Sequence, residues 1–335
     1  MARLRTVYPS TRGGTRRRAG RGWTFFDQTG ERILDAAEVQ RLKSLAIPPA
    51  WQDVWICPWP NGHIQAVGTD AAGRRQYLYH PDWRAKRDKL KFDRVLRAAE
   101  KLPAARRAIT RDLGLEGMPL ERADAVAVRL LDLGYFRIGS DVYADANGSF
   151  GLTTLEKRHV RRKGDVLHFT FVGKSGIEHS IEIDDPDVLG ALDSLRRRRG
   201  GTERLLAYQL EKEWRDLDGA AVNTYLGTLL EDLTAKDFRT WHATVIAAAS
   251  LAASEEPGDT KRSRQRAVKA AVLEVSDYLG NTPTIAKASY IDPRVIDLYE
   301  NGVTIDPALA RGPTRSPAAR QRRLEKAVLD LLRES

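Results

Sequence analysis

Near Asp82 the texture of the chain changes, and that change limits the folds open to it. From Trp23 to about Pro81 the sequence runs in short extended stretches, W-T-F-F, D-V-W-I-C-P-W, H-I-Q-A-V-G-T-D and R-Q-Y-L-Y, broken by Gly and Pro. Beyond Asp82, W-R-A-K-R-D-K-L-K-F-D-R-V-L-R-A-A-E-K-L sets Leu90, Val95, Leu96 and Leu102 near one helical face between charges. A chain of 335 residues is long enough for two domains that each bury a core. The reading is therefore an α+β protein, with a small β-rich domain over residues 23–83 and a larger, mainly α-helical domain over residues 84–335.

Ahead of both lies T-R-G-G-T-R-R-R-A-G-R-G, too poor in apolar residues to pack, so residues 1–22 read as a flexible basic arm. In the helical part, L-E-R-A-D-A-V-A-V-R-L-L-D-L repeats its aliphatic residues at three- and four-residue steps up to Gly134, which leaves Arg137 just beyond a helix end. The period switches to two in V-L-H-F-T-F-V and I-E-H-S-I-E-I, with Lys174 at the tip of the hairpin that joins them. T-A-K-D then opens a long apolar helix, with Thr234 able to cap it, Asp237 in its first turn and Arg239 one turn in. After the break S-E-E-P-G-D a basic helix ends at Gly280. Thr282-Pro283 and Asp292-Pro293 start two short helices with Tyr290 between them, and an amphipathic helix closes the chain.

A net charge of +10 favours polyanions, nucleic acid first, although charge alone equally describes a soluble protein with a basic tail. The single cysteine, Cys57, cannot form an intramolecular disulfide, and the histidines make no zinc spacing with it, so a reducing, cytoplasmic setting is expected. The start has no signal-peptide core, and no apolar run is long enough to span a bilayer.

Four strings together resemble the type IB DNA topoisomerases of the small bacterial and poxviral branch: Y-F-R-I-G-S-D-V-Y, F-V-G-K-S-G, T-A-K-D-F-R-T-W and L-G-N-T-P-T-I-A-K-A-S-Y-I-D-P-R-V-I-D-L-Y. Each is weak alone, but their order and spacing match a whole catalytic set across residues 80–300. The resemblance implies that Tyr290 is the nucleophile and that Arg137 and Arg239 stabilise the extra charge on a phosphate in the transition state. It implies Lys174 as the general acid and Lys236 as an assisting lysine.

Guanidinium suits that task because it donates two parallel bonds to phosphate and stays charged at any working pH. A phenol needs positive neighbours to lose its proton. Asn281 departs from the histidine that eukaryotic and poxviral relatives carry, yet an amide still donates one hydrogen bond. In the β-rich part, G-R-R-Q-Y-L-Y-H resembles a strand that reads DNA in the major groove, which points to Gln76, Tyr77 and Tyr79. Core packing is the alternative for these aromatics.

The resemblance thus implies a monomeric enzyme on double-stranded DNA at the nucleoid, clamping it between a β-rich and a helical catalytic domain. It would relax supercoils by single-strand cleavage through a 3′-phosphotyrosyl link, then religate, with no metal, cofactor or ATP. A tyrosine recombinase shares this logic but usually presents histidine where Lys236 stands, and a non-catalytic DNA-binding protein is the remaining alternative.

Overall fold

A computed structural model of the chain describes residues 3–134, 136–139, 148–231, 233–254, 260–311 and 317–334. The chain divides into two compact units, Met1–Lys91 and Phe92–Ser335. Most of the S-E-E-P-G-D break lies outside the described residues.

In the first unit the basic segment is not an arm. Thr15–Ala19 (β1) pairs antiparallel with Gly22–Phe26 (β2), Thr15 standing opposite Phe26 and Ala19 opposite Gly22. The sequence suggested an arm because apolar residues are scarce, but arginine packs through its plane and stem. Arg16 lies 3.8 Å from the Trp23 ring and donates to the carbonyls of Ile47 at 2.8 Å and Pro48 at 2.6 Å. Arg17 lies 4.7 Å from the Phe26 ring, and Val7 is buried.

Helix α1, Ala36–Ser44, is capped by the Asp35 carboxylate, which accepts from the Glu38 amide at 2.7 Å. Gln52–Ile56 (β3), Ile64–Thr69 (β4) and Arg75–Tyr79 (β5) form an antiparallel sheet in that order. The central strand β4 is buried over most of its length, whereas the edge strand β5 alternates. Phe25, Leu42, Ile47, Val54, Ile56 and Ala66 make the core.

The division between the units falls within a long helix, α2, Pro81–Leu113. Its buried face runs through Phe92, Val95, Ala99, Leu102, Ile109 and Leu113. Leu90, which the periodicity suggests for that face, is 53% exposed. It precedes Phe92 by two positions, about 200° around a helix, so it points away once Phe92 is inward.

Within the second unit α3, Leu120–Asp132, is buried on almost every side, with Ala123, Ala125, Val126, Ala127 and Val128 inaccessible. Val160–Lys163 (β6), Val166–Val172 (β7) and Glu178–Ile183 (β8) form an antiparallel sheet that turns Leu167, Phe169, Ile181 and Ile183 inward at period two. Helix α4, Pro186–Arg197, is followed by a two-stranded ribbon, Ala207–Leu210 (β9) with Glu213–Asp216 (β10).

The remaining helices are α5, Gly219–Leu230, α6, Ala235–Ala253, α7, Lys261–Leu279, α8, Pro283–Ser289, α9, Pro293–Glu300, α10, Pro307–Arg311, and α11, Pro317–Arg333. Arg106 of α2 bonds Asp132 of α3 at 2.8 Å and Glu325 of α11 at 2.6 Å, and so ties three helices through one buried guanidinium. Among the described residues no helix is long and apolar enough to cross a membrane.

Candidate active site

The C-terminal end of α7 organises the site. Gly280 takes the left-handed conformation (φ 59°), and its amide and that of Asn281 bond back to Asp277 and Ser276. That closure leaves the carbonyls of Leu279 and Gly280 open, at a helix end that favours cations.

Two arginines from distant parts of the chain meet there. Arg137 follows α3, where the backbone turns through Gly134, against which the Tyr278 hydroxyl is packed so closely that a Cβ would sit 1.7 Å from it. The carbonyls of Arg137 and Ile138 accept from the amides of Leu152 at 2.7 Å and Thr153 at 2.8 Å, which fixes the stretch. Nη2 of Arg137 then reaches Leu279 O at 3.1 Å, Gly280 O at 3.2 Å and Asn281 Oδ1 at 2.9 Å. Arg239, on the second turn of α6 and only 5% exposed, donates from Nη2 to the same Leu279 carbonyl at 2.5 Å. Burial and the neighbouring Arg137 push the Arg239 pKa down to about 10.

Not every donor in this cluster is satisfied. Nε of Arg137, Nε of Arg239 and Nδ2 of Asn281 are buried and have no hydrogen-bond partner among the described residues. Asn281 spends its oxygen on Arg137, so its amide nitrogen is what remains to donate.

Tyr290 joins the same cluster. It caps α8 with its amide on Ala286 O, and its ring lies 5.6 Å from Cζ of Arg239. Burial pushes its hydroxyl pKa up, but the charges of Arg239, Lys236 and Arg137, with a hydrogen bond from Arg239, outweigh that and leave it below the ordinary phenol value. Lys236 is exposed on the first turn of α6, where its charge still reaches the phenol. The helix start itself is held because the Asp237 carboxylate accepts from the Thr234 amide at 2.9 Å and from Arg94 at 2.9 Å.

Lys174 is exposed in the short turn Lys174–Gly176 between β7 and β8 and makes no ion pair among the described residues. Gln76, Tyr77 and Tyr79 belong to the first unit, on β5. Tyr77 and Tyr79 are 38% and 40% exposed, stacked with centroids 6.0 Å apart, so they are not core aromatics. Gln76 faces the other way and donates to Asp70 Oδ2 at 2.9 Å. Tyr135 and residues 140–143 of the Y-F-R-I-G-S-D-V-Y string lie outside the described residues. Among the described residues no group of three or more His, Cys, Asp or Glu side chains is gathered as a metal site.

Two residues at the site carry no motif signal. Thr244, buried on α6, accepts from the Asp292 amide at 3.1 Å and lies 3.4 Å from the Tyr290 carbonyl, so it pins the loop that carries Tyr290. His179 on β8 lies close enough to Arg137 and Arg239 that both, after burial, lower its pKa.

Residues 22–70 match the family described as bacterial DNA topoisomerase IB, N-terminal domain. The DNA topoisomerase 1B of Acanthamoeba polyphaga mimivirus is 29% identical over 287 residues, covering 83% of this chain and 84% of that protein. The DNA topoisomerase 1B of vaccinia virus (strain Copenhagen) is 22% identical over 244 residues, 72% of this chain and 74% of its own. The DNA topoisomerase 1 of Daucus carota is 32% identical over 127 residues, 37% of this chain but only 15% of that longer protein. Residues 80–302, about two thirds of the chain, match the family described as eukaryotic DNA topoisomerase I, catalytic core, and the chain belongs to the type IB DNA topoisomerases, a family of isomerases.

Proposed function

We propose that the protein relaxes supercoiled duplex DNA by cutting and resealing one strand through Tyr290. The Tyr290 hydroxyl gives up its proton to solvent, and its oxygen bonds to a backbone phosphorus. The bond from phosphorus to the 5′ oxygen breaks, and the Lys174 ammonium supplies the proton that oxygen takes up. The strand is left joined to the enzyme through a 3′-phosphotyrosyl link. Rotation of the free end relaxes the helix, and the 5′ hydroxyl then attacks the link in reverse. The phosphodiester energy is kept in the link, so no ATP is called for, and with arginines carrying the phosphate charge no metal is called for either.

The single observation that carries this reading is the set of unpartnered buried donors beside a phenol of lowered pKa. A buried donor left without an acceptor costs about 1–3 kcal/mol, so three together favour an acceptor that arrives with the substrate. Two guanidinium Nε–H groups and one amide match the non-bridging oxygens of a phosphate, whose charge grows in the transition state. Lys236 favours the phenolate, and the amide at Asn281 donates to the same phosphate without adding charge.

In the first unit, Tyr77, Tyr79 and Gln76 on an exposed edge strand are the proposed contacts to base edges and backbone. On this reading the enzyme works as a monomer on cytoplasmic, nucleoid DNA. Tyr290→Phe tests the whole. The variant should still bind duplex DNA but neither relax supercoiled plasmid nor become covalently attached to it, in buffer with chelator and without ATP. Undiminished relaxation by the variant would remove Tyr290 from the chemistry.

A further inference from the structure

Between the turn that carries Lys174 and the end of α7 stands one side chain without a role so far, His179. It lies on β8 directly opposite Phe171 of β7, and the two rings stack at 5.1 Å between centroids and 22° between planes. Its imidazole is packed against Gly173, where a Cβ would fall 2.5 Å from Cδ2 and 2.6 Å from Nε2. No side chain but hydrogen fits there while the ring stays in place.

On its Cε1 side the ring faces Gly280, the residue that caps α7, where a Cβ would stand 3.6 Å from Cε1. The imidazole therefore spans from the residue before Lys174 to the residue whose carbonyl accepts from Arg137. The turn itself is closed by Gly173 N to Ile177 O at 2.7 Å and Gly176 N to Gly173 O at 3.2 Å, so a shift of Gly173 carries Lys174 with it. Burial, then the charges of Arg137 and Arg239, hold the ring below its usual pKa, so it sits there as a neutral spacer.

We propose that His179 is a positioning residue, a ring of fixed thickness that sets the Lys174 turn at the distance from the Arg137 and Asn281 pocket at which its ammonium meets the 5′ oxygen of a bound phosphate. The inference rests on the assignment of Lys174 as general acid. Proton transfer demands close approach, so a loosened turn costs the acid step and leaves phosphate binding and the nucleophile alone.

A substrate that needs no acid separates the two. In a duplex whose scissile 5′ oxygen is replaced by sulfur, the leaving thiolate, with a pKa near the ~8.5 of a thiol, departs without a proton. Single-turnover cleavage by the full chain is measured on oxygen and sulfur duplexes for wild type, Lys174→Ala, His179→Ala and Gly173→Ala. Gly173→Ala pushes a Cβ into the ring from the turn side, a second way to move the turn from its seat, in the opposite direction.

His179→Ala and Gly173→Ala should each be slower than wild type by about tenfold or more on oxygen, within the ~10²–10⁴ that an acid contributes, and within about twofold on sulfur. A His179→Ala and Gly173→Ala pair equally slow on both substrates, with Lys174→Ala relieved by sulfur, would overturn the inference and leave Lys174 as the acid. Lys174→Ala equally slow on both would remove the acid assignment, and the inference with it.

Discussion

At the residue scale, on the proposed mechanism the charge around Tyr290 decides how readily the phenol acts as nucleophile. Its pKa is lowered because Arg239, Lys236 and Arg137 outweigh the cost of burial. The cleavage rate should therefore rise with pH and level off below the ordinary phenol value. Lys236→Ala removes one cation and should move that limb to higher pH, with a smaller effect on the plateau, in single-turnover cleavage followed from about pH 7 to about pH 11, a range that brackets the usual phenol pKa of about 10. An unmoved limb would take Lys236 out of the site. Arg137, Arg239, Asn281 and Tyr290, singled out by motif order, do converge on one helix end. His179 and Thr244 were not legible, because a histidine in a strand and a threonine in an apolar helix look like ordinary packing until the fold brings Gly280 and the Tyr290 loop against them.

At the element scale, α6 does two jobs: its second turn carries Arg239, and Thr244 one turn further holds the loop between α8 and α9. Thr244→Val keeps the shape but leaves the Asp292 amide buried without an acceptor, at about 1–3 kcal/mol. The expected outcome is cleavage slowed about tenfold or more with DNA affinity unchanged, since roughly 1.4 kcal/mol is tenfold in rate. Equal cleavage by the variant would leave Thr244 a plain core residue. Elements with strong periodicity or punctuation were readable in sequence: α6 from T-A-K-D, the end of α7 at Gly280, and the β7–β8 hairpin around Lys174. The β1–β2 hairpin was not, because its stability comes from guanidinium stems on Trp23 and Phe26 rather than from an apolar pattern.

At the scale of the whole molecule, α3 lies in the core of the second unit and carries a carboxyl that keeps its proton well above the ordinary carboxyl range. Asp124 is 3% exposed, and burial, then Glu121 and Asp218, push its pKa up to about 7. In the folded chain it keeps its proton where the unfolded chain has lost it, so stability falls as pH rises from the ordinary carboxyl range to about 7 and stays lowered above that. Asp124→Asn has no proton to lose. Its melting temperature should exceed that of wild type at pH 8, with the gap closing as pH falls toward 4, near the usual carboxyl pKa of about 3.9. A constant gap across that range would mean Asp124 is ionised in the fold.

The expectations for cleavage depend on Tyr290 facing a phosphate held by two arginines and an amide. The most direct measurement is to trap the protein on a nicked duplex that cannot religate, digest the complex, and identify by mass spectrometry which residue carries DNA and through which end. The expected adduct is on Tyr290, joined to a 3′ phosphate, with a free 5′ hydroxyl on the released strand. DNA attached to any other residue, or through its 5′ end, would contradict it.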